Sequence, residues 1–391
     1  MEILQANKFK LLPKLKQSQL MKQFAGSCRF VWNKALELEQ NTYESTKKRL
    51  GYVELAAELV KWKSEDGTLF LSDVHSQALQ QSLKDLDRAY DNFFQGRAEF
   101  PKYKKRGEKD SFRYPQGFKM DEKNARIYLP KIGWVRYKQS RLVLGTPKQV
   151  TVSLYCGEWY ISVQTAFEIE DPVHNSTSSI GIDMGITHFA TLSDGTHIES
   201  LNIYRKYERK LSRELKALSR KKKYSSNWYK QKRLIQRLHK RVADIRRNHL
   251  HQESSRISKN HALVVMEDLK VSNMSRSASG SVENPGRNVS SKSGLNKAIL
   301  DQGWYEFRRQ LEYKLKWRGG RLILVAPQYT SQRCSVCGHT SSSNRQSQSK
   351  FECESCGMSM NADVNAARNI LAAGHAVTAC EVGSSHGEAR T

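Results

Sequence analysis

The sequence lacks any run of about 18 apolar residues, the length that a membrane-spanning helix requires. Its first residues, Met1–Lys16, are basic and mixed, without the apolar core of a secretory signal peptide. Of the seven cysteines, Cys28, Cys156 and Cys380 are scattered, which is not the pattern of a disulfide scaffold. These absences predict a chain without a membrane span that works in a reducing compartment.

Acidic residues are scarce relative to basic ones. The 391 residues include 65 Lys and Arg against 39 Asp and Glu, a formal net charge of +26. Such an excess favours a polyanionic partner. Nucleic acid is preferred over an anionic membrane surface because no basic amphipathic anchor stands out. Hydrophobic residues make up 38% of the chain, enough for the cores of about two to four modules.

The first half of the chain predicts a small β-barrel interrupted by helices. Residues 1–12 alternate polar and apolar side chains as a strand does, and later apolar stretches are separated by turns rich in Gly, Pro or Lys. These stretches are Ile127/Leu129, Leu142/Leu144, Val150/Val152/Leu154 and Tyr160/Ile161/Val163. Apolar residues three and four apart predict one helix from about Leu20 to Leu38 and another from Val74 to Phe94. Residues 100–115 then interleave basic and aromatic side chains.

The second half, beyond a polar boundary at 168–179, predicts a sheet connected by helices. Strands are expected at Ile180–Ile182, Phe189–Leu192, His197–Ile198 and Arg321–Val325. Residues 272–294 are rich in Ser, Asn and Gly and predict a mobile loop. A helix is expected from Asp301 to Arg318, and the tail after Gly374 has no clear periodicity.

Two long helices are expected over residues 203–250, with a hinge near Ser225. This segment has 18 Lys and Arg and three Asp and Glu, so it carries 15 of the 26 net charges. An apolar seam is expected from Leu211, Leu215, Leu218, Leu234, Leu238, Val242 and Ile245. Most of the charges must then face outward, and phosphate contact is favoured over a merely solvated helical face.

Four cysteines form two close pairs near the end of the chain. Cys334 and Cys337 are followed by Cys353 and Cys356, a spacing typical of a zinc ribbon. A glycine follows each pair, where a tight turn requires a permissive residue. Because four thiolates leave no open coordination position, one zinc ion with a structural role is predicted, in preference to an iron–sulfur or redox role.

Three carboxylates on different elements could form a second metal site. Asp183 lies at a strand end between glycines, Glu267 follows four apolar residues, and Asp363 precedes a helix expected over 364–373. Taken singly, Asp183 could be a turn residue and Asp363 a helix N-cap. Glu267 is more informative, because an ionised carboxylate on a buried strand is costly unless it is paired or bound to metal. Together they predict an RNase H-type site with two Mg²⁺ ions for phosphodiester hydrolysis.

Several motifs surround these residues and extend over nearly the whole chain. They are Phe24–Ala35, Phe100–Lys104, Gly181–Gly185, Val265–Leu269, Thr330–Cys334 and Asp363–Ile370. In this combination the chain resembles the TnpB proteins of bacterial and archaeal insertion sequences, RNA-guided DNA endonucleases related to the compact type V CRISPR effectors. Many such relatives carry a further acidic residue where this chain has Asn361.

The resemblance implies a multidomain α/β fold. Residues 1–12 and 125–167 would form an oligonucleotide-binding "wedge" β-barrel, with a helical recognition lobe inserted at 13–124. After the linker 168–179, an RNase H-like RuvC nuclease would comprise 180–329 and 357–374. The zinc ribbon would occupy 330–356 and bind target nucleic acid, and a flexible tail would comprise 375–391.

The resemblance also implies the activity, the cofactors and the partners. Asp183, Glu267 and Asp363 would hold two catalytic Mg²⁺ ions, while the four cysteines hold zinc. A guide RNA derived from the transposon end would direct a monomer to double-stranded DNA beside a short motif, in a prokaryotic cytoplasm and at the nucleoid, with no membrane partner. The alternatives are an RNase H-fold DNA transposase and an RNA-guided repressor. The ribbon before the third motif disfavours the first, and the complete set of carboxylates disfavours the second.

Overall fold

The computed structural model describes residues 1–385, with side chains described as far as Cys380. The chain forms two compact units, Met1–Glu170 and the residues from Asp171 onward. The division lies inside the polar segment 168–179 that the sequence predicts as a linker. Over residues 1–385, none of the helices combines the length and the apolar character needed to cross a membrane.

A seven-stranded antiparallel sheet forms the base of the first unit. Its strands are β1 (Glu2–Leu12), β2 (Ser111–Tyr114), β3 (Lys119–Asp121), β4 (Arg126–Leu129), β5 (Gly133–Lys138), β6 (Thr146–Tyr155) and β7 (Glu158–Glu168). They lie in the order β2-β6-β7-β1-β5-β4-β3. Alternation along β1 buries Phe9 and Leu11 while Lys8 is exposed, as expected for a strand with one face on a core.

Three helices belong to the first unit: α1 (Leu15–Thr46), α2 (Tyr52–Trp62) and α3 (Ser76–Phe94). Helices α1 and α3 pack on strand β2 of the sheet, and α2 packs on α3. Helix α1 buries Met21, Phe24, Cys28, Val31 and Ala35 at spacings of three and four, which is the stripe that an amphipathic helix presents to a core. Both helices predicted for this half are therefore confirmed, and α1 is longer than its apolar stripe indicated.

The first half differs from the sequence prediction in two places. Leu142 and Leu144 are 70% and 60% exposed, because residues 139–145 form the irregular connection between β5 and β6, from which only Val143 packs against the core. The strand predicted there is wrong, and the unpredicted β5 buries Val135 and Tyr137 instead. Strands β2 and β3 belong to the sheet, although they lie within the range 13–124 assigned to a helical insertion.

The second unit contains a five-stranded mixed sheet. Its strands are β8 (Ser179–Met184), β9 (His188–Leu192), β10 (His197–Glu199), β11 (Leu263–Glu267) and β12 (Arg321–Val325). The order is β10-β9-β8-β11-β12. Strands β8, β11 and β12 are parallel, while β9 and β10 continue the sheet in antiparallel fashion. All five strands occur where the apolar patterns predict them.

Helices connect these strands and cover both faces of the sheet. They are α4 (Ile203–Ser219), α5 (Ser226–Asn260), α6 (Val271–Met274), α7 (Val289–Gln302), α8 (Trp304–Lys316) and α9 (Ala362–Ser385). Residues of α5, α7 and α8 share a core with Ile180, Ile182, Val264 and Met266. On the opposite face, Val265 and Ile323 pack with Ile370 of α9. The three parallel strands β8, β11 and β12 are thus covered on both sides, as their nearly continuous apolar sequences predict.

Several helix boundaries differ from the predicted ones. The helix expected from Asp301 is divided at Gly303, where a φ of 78° ends α7 and begins α8, and α7 begins within the segment predicted as a mobile loop. The irregular tail expected after Gly374 is wrong as far as Ser385, because α9 continues to that residue. The remainder of that tail, residues 386–391, lies outside the described residues.

The basic helical pair α4–α5 has a narrower apolar seam than predicted. Leu211, Ile235 and Leu238 are buried, with Leu218 packed beside them. Leu215 and Leu234 are 49% and 40% exposed, because they lie to the side of the contact between the helices. Most Lys and Arg residues of this pair are exposed, in agreement with the sequence.

Candidate metal and catalytic centre

Asp183 and Glu267 lie on neighbouring parallel strands and share one face of the sheet. In the register of β8 and β11, Gly181 pairs with Val265 and Ile182 with Met266, so Asp183 and Glu267 are the next pair along. Side chains alternate across a strand, and Ile182 and Met266 enter the core under α5 and α8. The two carboxylates therefore point to the opposite face, which α9 covers.

Asp363 joins this face from the first turn of α9. The side chain of Asn361 accepts hydrogen bonds from the backbone N–H groups of Asp363 (2.9 Å) and Val364 (3.2 Å). Asn361 therefore acts as the N-cap, the role that the simpler interpretation gave to Asp363. Since the cap is supplied two residues earlier, the Asp363 carboxylate is available for other contacts.

Two glycines allow α9 to lie unusually close to strands β8 and β11. A Cβ placed on Gly181 would be 2.1 Å from the Ala367 carbonyl oxygen, and one on Gly374 would be 2.3 Å from Val265 Cγ2. Real Cβ atoms do not approach other atoms this closely. The sequence thus lets the helix carrying Asp363 rest directly on the strands that carry Asp183 and Glu267.

The three carboxylates interact electrostatically. Burial, followed by the negative charges of Glu267 and Asp363, raises the pKa of Asp183 to about 7. The positive charge of Arg345 acts in the opposite direction. A buried cluster of like charges is unfavourable without a compensating cation, and such clusters are typical of functional sites.

Neighbouring side chains hold two of the carboxylates. The Thr330 hydroxyl donates a 2.6 Å hydrogen bond to Glu267 Oε1. Burial raises the pKa of Glu267, and this hydrogen bond partly offsets the rise. Arg345 Nη2 lies 3.5 Å from Asp363 Oδ1, a long ion pair that places a cation beside the carboxylate cluster.

The carboxylates are less tightly grouped than the cysteines. Over the described residues, the four cysteines are the one group of three or more candidate ligands whose ligand atoms all lie within 4.8 Å of one another. The carboxylate oxygens are partly engaged by Thr330 and Arg345. Their donor set, three carboxylates on one face of the sheet, nevertheless suits hard cations such as Mg²⁺.

The four cysteines form a site that fits zinc. Cys334 Sγ is 3.7 Å from Cys356 Sγ, and Cys337 Sγ is 3.5 Å from Cys353 Sγ. A tetrahedron with Zn–S bonds of about 2.3 Å has S–S separations of about 3.8 Å. Gly338 and Gly357 have φ values of 78° and 71° and donate to the carbonyls of Cys334 and Cys353. The two pairs thus form equivalent turns that require glycine, as predicted.

Two asparagines of α9 connect the zinc ribbon to the carboxylates. Asn365, which is fully buried, accepts from the Ser335 backbone N–H and donates to the Arg333 carbonyl. One turn later, Asn369 donates to the carbonyls of Thr330 and Arg333. The loop that carries both Thr330 and Cys334 is therefore fixed to the helix that carries Asp363.

Sequence reasoning named the candidate metal ligands but not the residues that support them. Thr330, Arg345, Asn365 and Asn369 lie within or beside the motifs, yet no role was assigned to their side chains. A usable signal existed for the asparagines, because two amides four residues apart on an otherwise apolar helix face require buried partners. The contact of Arg345 with Asp363 depends on the folded path of the ribbon and had no such signal.

Three family models match successive parts of the chain. A helix-turn-helix domain of IS605 OrfB proteins matches residues 1–48, the IS605 OrfB model described as a probable transposase matches 161–278, and the TNB domain of Cas12f1-like proteins matches 304–370. The first of these segments folds here as strand β1 and the single helix α1, so its description does not fit the structure.

Known proteins resemble the chain over nearly its full length. InsQ of Escherichia coli (strain K12), named as a candidate RNA-guided DNA endonuclease, is 59% identical over 380 residues, which are 97% of this chain and 94% of InsQ. A candidate RNA-guided DNA endonuclease of Streptomyces pristinaespiralis is 33% identical, covering 97% of this chain and 91% of the relative. A Cas12f1 structure solved with sgRNA and target DNA matches at a TM-score of 0.58 and 13% identity, covering 94% of this chain and 98% of that one.

The fold and the sequence together show the class of protein to which this chain belongs. The likeness to Cas12f1 places the chain among mixed α/β proteins with the fold of Cas12 effectors. The identity to InsQ over nearly all of both proteins shows that the chain belongs to the TnpB/IS605 OrfB family, as its motifs predicted.

Proposed function

We propose that this protein is an RNA-guided DNA endonuclease encoded by an insertion sequence. The observation that carries the proposal is the placement of Asp183, Glu267 and Asp363 on one face of the sheet, close enough for the charges of Glu267 and Asp363 to raise the pKa of Asp183. The names of InsQ and of the Streptomyces relative support the same activity. The second unit would be the RNase H-like RuvC nuclease with an inserted zinc ribbon.

The proposed chemistry is hydrolysis of a DNA phosphodiester bond. Two Mg²⁺ ions held by Asp183, Glu267 and Asp363 would supply an activated water and neutralise charge on the leaving 3′ oxygen. Within the chain, Thr330 keeps the Glu267 carboxylate oriented and favours its charged form. Arg345 lies beside Asp363 and can offset negative charge when a phosphate enters.

The proposed partners are a guide RNA from the transposon end and a double-stranded DNA target. Base pairing would supply sequence specificity, while the protein grips the backbone and reads a short adjacent motif. The helical pair α4–α5 supports phosphate contact, because the 15 excess positive charges of residues 203–250 lie mostly on exposed side chains. In the first unit, the seven-stranded sheet would act as the wedge and its helices as the recognition lobe. A monomer on RNA, in the cytoplasm and at the nucleoid of a prokaryote, completes the proposal.

Cleavage by the copurified ribonucleoprotein tests this function. The protein, with its bound RNA identified by sequencing, is given matched duplex DNA and Mg²⁺. We expect cleavage that Asp183→Ala abolishes, while guide-directed DNA binding is retained because binding depends on base pairing and basic surfaces. Asp194→Ala is the matched control, since Asp194 is an exposed turn residue of the same unit that accepts from the Thr196 N–H; it should cut normally.

The outcomes separate the alternatives. If Asp183→Ala cuts as fast as the wild type, these carboxylates are not the active site. If protein stripped of RNA cuts equally well, the transposase alternative gains. If the wild type binds matched DNA but never cuts it in Mg²⁺, the repressor alternative gains.

A further inference from the structure

A cavity in the first unit shares no lining residue with the carboxylate cluster or the cysteine site. It has a volume of about 450 Å³, and it opens among the second half of α1, the end of α3 and the segment after α3. Its walls include Glu39, Tyr43, Arg49, Tyr90, Phe94 and Phe100. Volumes of roughly 300–1,000 Å³ with mostly apolar walls and few polar groups are typical of small-ligand sites.

Glu39 supplies an unused hydrogen-bond acceptor in this cavity. The residue is only 2% exposed, and its Oε1 accepts from Arg49 Nε at 3.1 Å. Its Oε2 is buried and has no hydrogen-bond partner among the described residues. Burial raises the pKa of Glu39 to about 7 despite the neighbouring Arg49. A buried polar atom without a partner is costly, so a donor supplied by a ligand would relieve that cost.

Aromatic rings surround this acceptor and remain partly open to solvent. Tyr43, Phe94 and Phe100 are 54%, 64% and 41% exposed. Tyr90 and Phe100 meet edge to face with ring centroids 5.5 Å apart. The Arg49 guanidinium lies 5.1 Å from the Tyr90 centroid and 5.6 Å from that of Phe94. Rings held in this way are suitable surfaces on which a planar group can stack.

The charges around the cavity disfavour a phosphate. Glu39 and Glu44 line it, while the remaining nitrogens of Arg49 are taken by Asp87 (2.5 Å) and Asp91 (3.2 Å). The surroundings are therefore acidic, in contrast to the chain as a whole. A suitable ligand is flat, carries no negative charge and donates hydrogen bonds at one edge.

We propose that this cavity binds an unpaired nucleobase that carries an exocyclic amino group. The base stacks on the exposed rings, and its amino group donates to Glu39 Oε2. Uracil and thymine are disfavoured, because carbonyl oxygens flank their N–H group and would face the Glu39 oxygens. The choice of a nucleobase among flat ligands rests on the proposed function. The observations of the free acceptor, the exposed rings and the acidic surroundings are independent of that function.

Nucleosides without phosphate test the site directly. Adenosine, cytidine, guanosine and uridine are titrated onto the RNA-free full-length chain, and binding is followed by saturation-transfer NMR. The titration is made at about pH 8, above the pKa of about 7 that burial gives Glu39, so that Oε2 carries no proton and can accept. We expect at least one of the three amino-bearing nucleosides to bind at least about fivefold more tightly than uridine. Binding should not weaken between low and high salt, because no phosphate is contacted.

Three substitutions test whether the nucleosides bind in this cavity. Phe94→Ala, at an exposed ring that can be removed without disturbing the core, should weaken binding at least about fivefold. Glu39→Gln keeps an acceptor for Arg49 and should remove the discrimination against uridine. Phe70→Ala, at an exposed ring outside the cavity, should bind as the wild type does.

Equal binding of all four nucleosides, or binding unaffected by Phe94→Ala, would overturn the proposal. Absence of binding by any nucleoside would overturn it as well. None of these results depends on DNA cleavage, so failure of this site and failure of the endonuclease function are distinguishable. Cleavage without nucleoside binding would retain the function and reject the site.

Discussion

Glu267 ends a buried strand, where an ionised carboxylate is costly unless something compensates its charge. Thr330 provides part of that compensation through a 2.6 Å hydrogen bond. The hydroxyl favours the charged form of Glu267 and limits the directions in which Oε1 can turn. Thr330 is thus a positioning residue, and it acts through Glu267 rather than on the substrate.

Thr330→Val should reduce cleavage by roughly tenfold or more, since a hydrogen bond to a charged group contributes about 1.5–3 kcal/mol. The Mg²⁺ concentration that gives half-maximal cleavage should rise, because Glu267 would be less well oriented and less readily ionised. Thr330→Ser retains the hydroxyl and is expected to restore both values. Equal Mg²⁺ dependence for the Val and Ser variants would rule out this role.

Glu39 makes a prediction about stability and pH. Its folded pKa of about 7 lies above the ordinary 4.5, with burial as the largest cause and Asp87 adding to it. Between these values the folded state holds a proton that the unfolded state has lost, so stability should fall as pH rises from about 4.5 to 7. Glu39→Gln should flatten this part of the profile, measured as the melting temperature between pH 4.5 and 8. A wild-type profile parallel to that of the variant would contradict the assignment.

At single positions, the sequence indicated which residues belong to the candidate site better than it indicated the role of each residue. Glu267 stands out in the sequence, since an ionised carboxylate after four apolar residues is costly, whereas Asp183 and Asp363 stand out only in combination with it. Their role as metal ligands stays a prediction. That Asn361 rather than Asp363 caps α9 was not predictable, because both residue types are good N-caps two positions apart. Only the hydrogen bonds from Asp363 N–H and Val364 N–H to Asn361 decide it.

Among the elements, α9 determines whether three carboxylates can share a site. It lies directly on β8 because Gly181 has no Cβ, and Asp363 is near its start. Gly181→Ala should push the helix outward, since the new Cβ would be 2.1 Å from the Ala367 carbonyl oxygen. We expect loss of most cleavage activity and a lower melting temperature, with RNA binding retained.

The matched control for that substitution is Gly294→Ala. Gly294 lies within α7, where an added Cβ would meet no atom within 4 Å, and alanine is the better helix former by about 1 kcal/mol. This variant should cut normally and be as stable as the wild type or slightly more so. If both alanine variants behave alike, close packing of α9 on β8 is not required.

The zinc ribbon and α9 should behave as one element. Cys356→Ser removes one of four thiolates, so zinc measured by elemental analysis of the purified protein should fall well below one ion per chain. Because Asn365 and Asn369 fix the ribbon to α9, which carries Asp363, the loss of zinc should also reduce cleavage. Cys380→Ser, at an exposed cysteine outside the ribbon, is the control and should retain both the zinc content and the cleavage activity. Full zinc content in Cys356→Ser would contradict a four-cysteine site.

Element predictions succeeded where periodicity was strong and failed where it was weak. The five strands of the second unit were all predicted; four of them are mostly apolar, and β10 has one apolar residue, Ile198, between two polar ones. Helix α7 has a mixed sequence with several Ser and Lys residues, so it gave no apolar stripe. The division at Gly303 depends on its left-handed backbone conformation, and periodicity does not report a single residue's φ.

For the whole molecule, the uneven distribution of charge is the property that sequence establishes best. An excess of 15 positive charges in residues 203–250 needs no folded structure to be recognised. The structure adds that these side chains are mostly exposed along α4 and α5, with an apolar seam between the helices. A surface of this kind binds a polyanion largely through release of counterions.

Guide RNA binding should therefore weaken steeply with salt. For about six to ten phosphate contacts, affinity should fall by roughly three to five decades between about 50 and 200 mM salt. Replacing the exposed Lys216, Lys222, Lys223 and Lys230 of the helical pair with Gln should reduce the slope of log affinity against log salt, by up to about one for each lysine that contacts a phosphate. Replacing Lys316, an exposed lysine on α8 outside the helical pair, gives the control, and its slope should stay close to that of the wild type. A wild-type slope in the fourfold variant would mean that these lysines face solvent in the complex. The helical pair would then be a solvated surface, and the phosphate contacts would have to lie elsewhere in the chain.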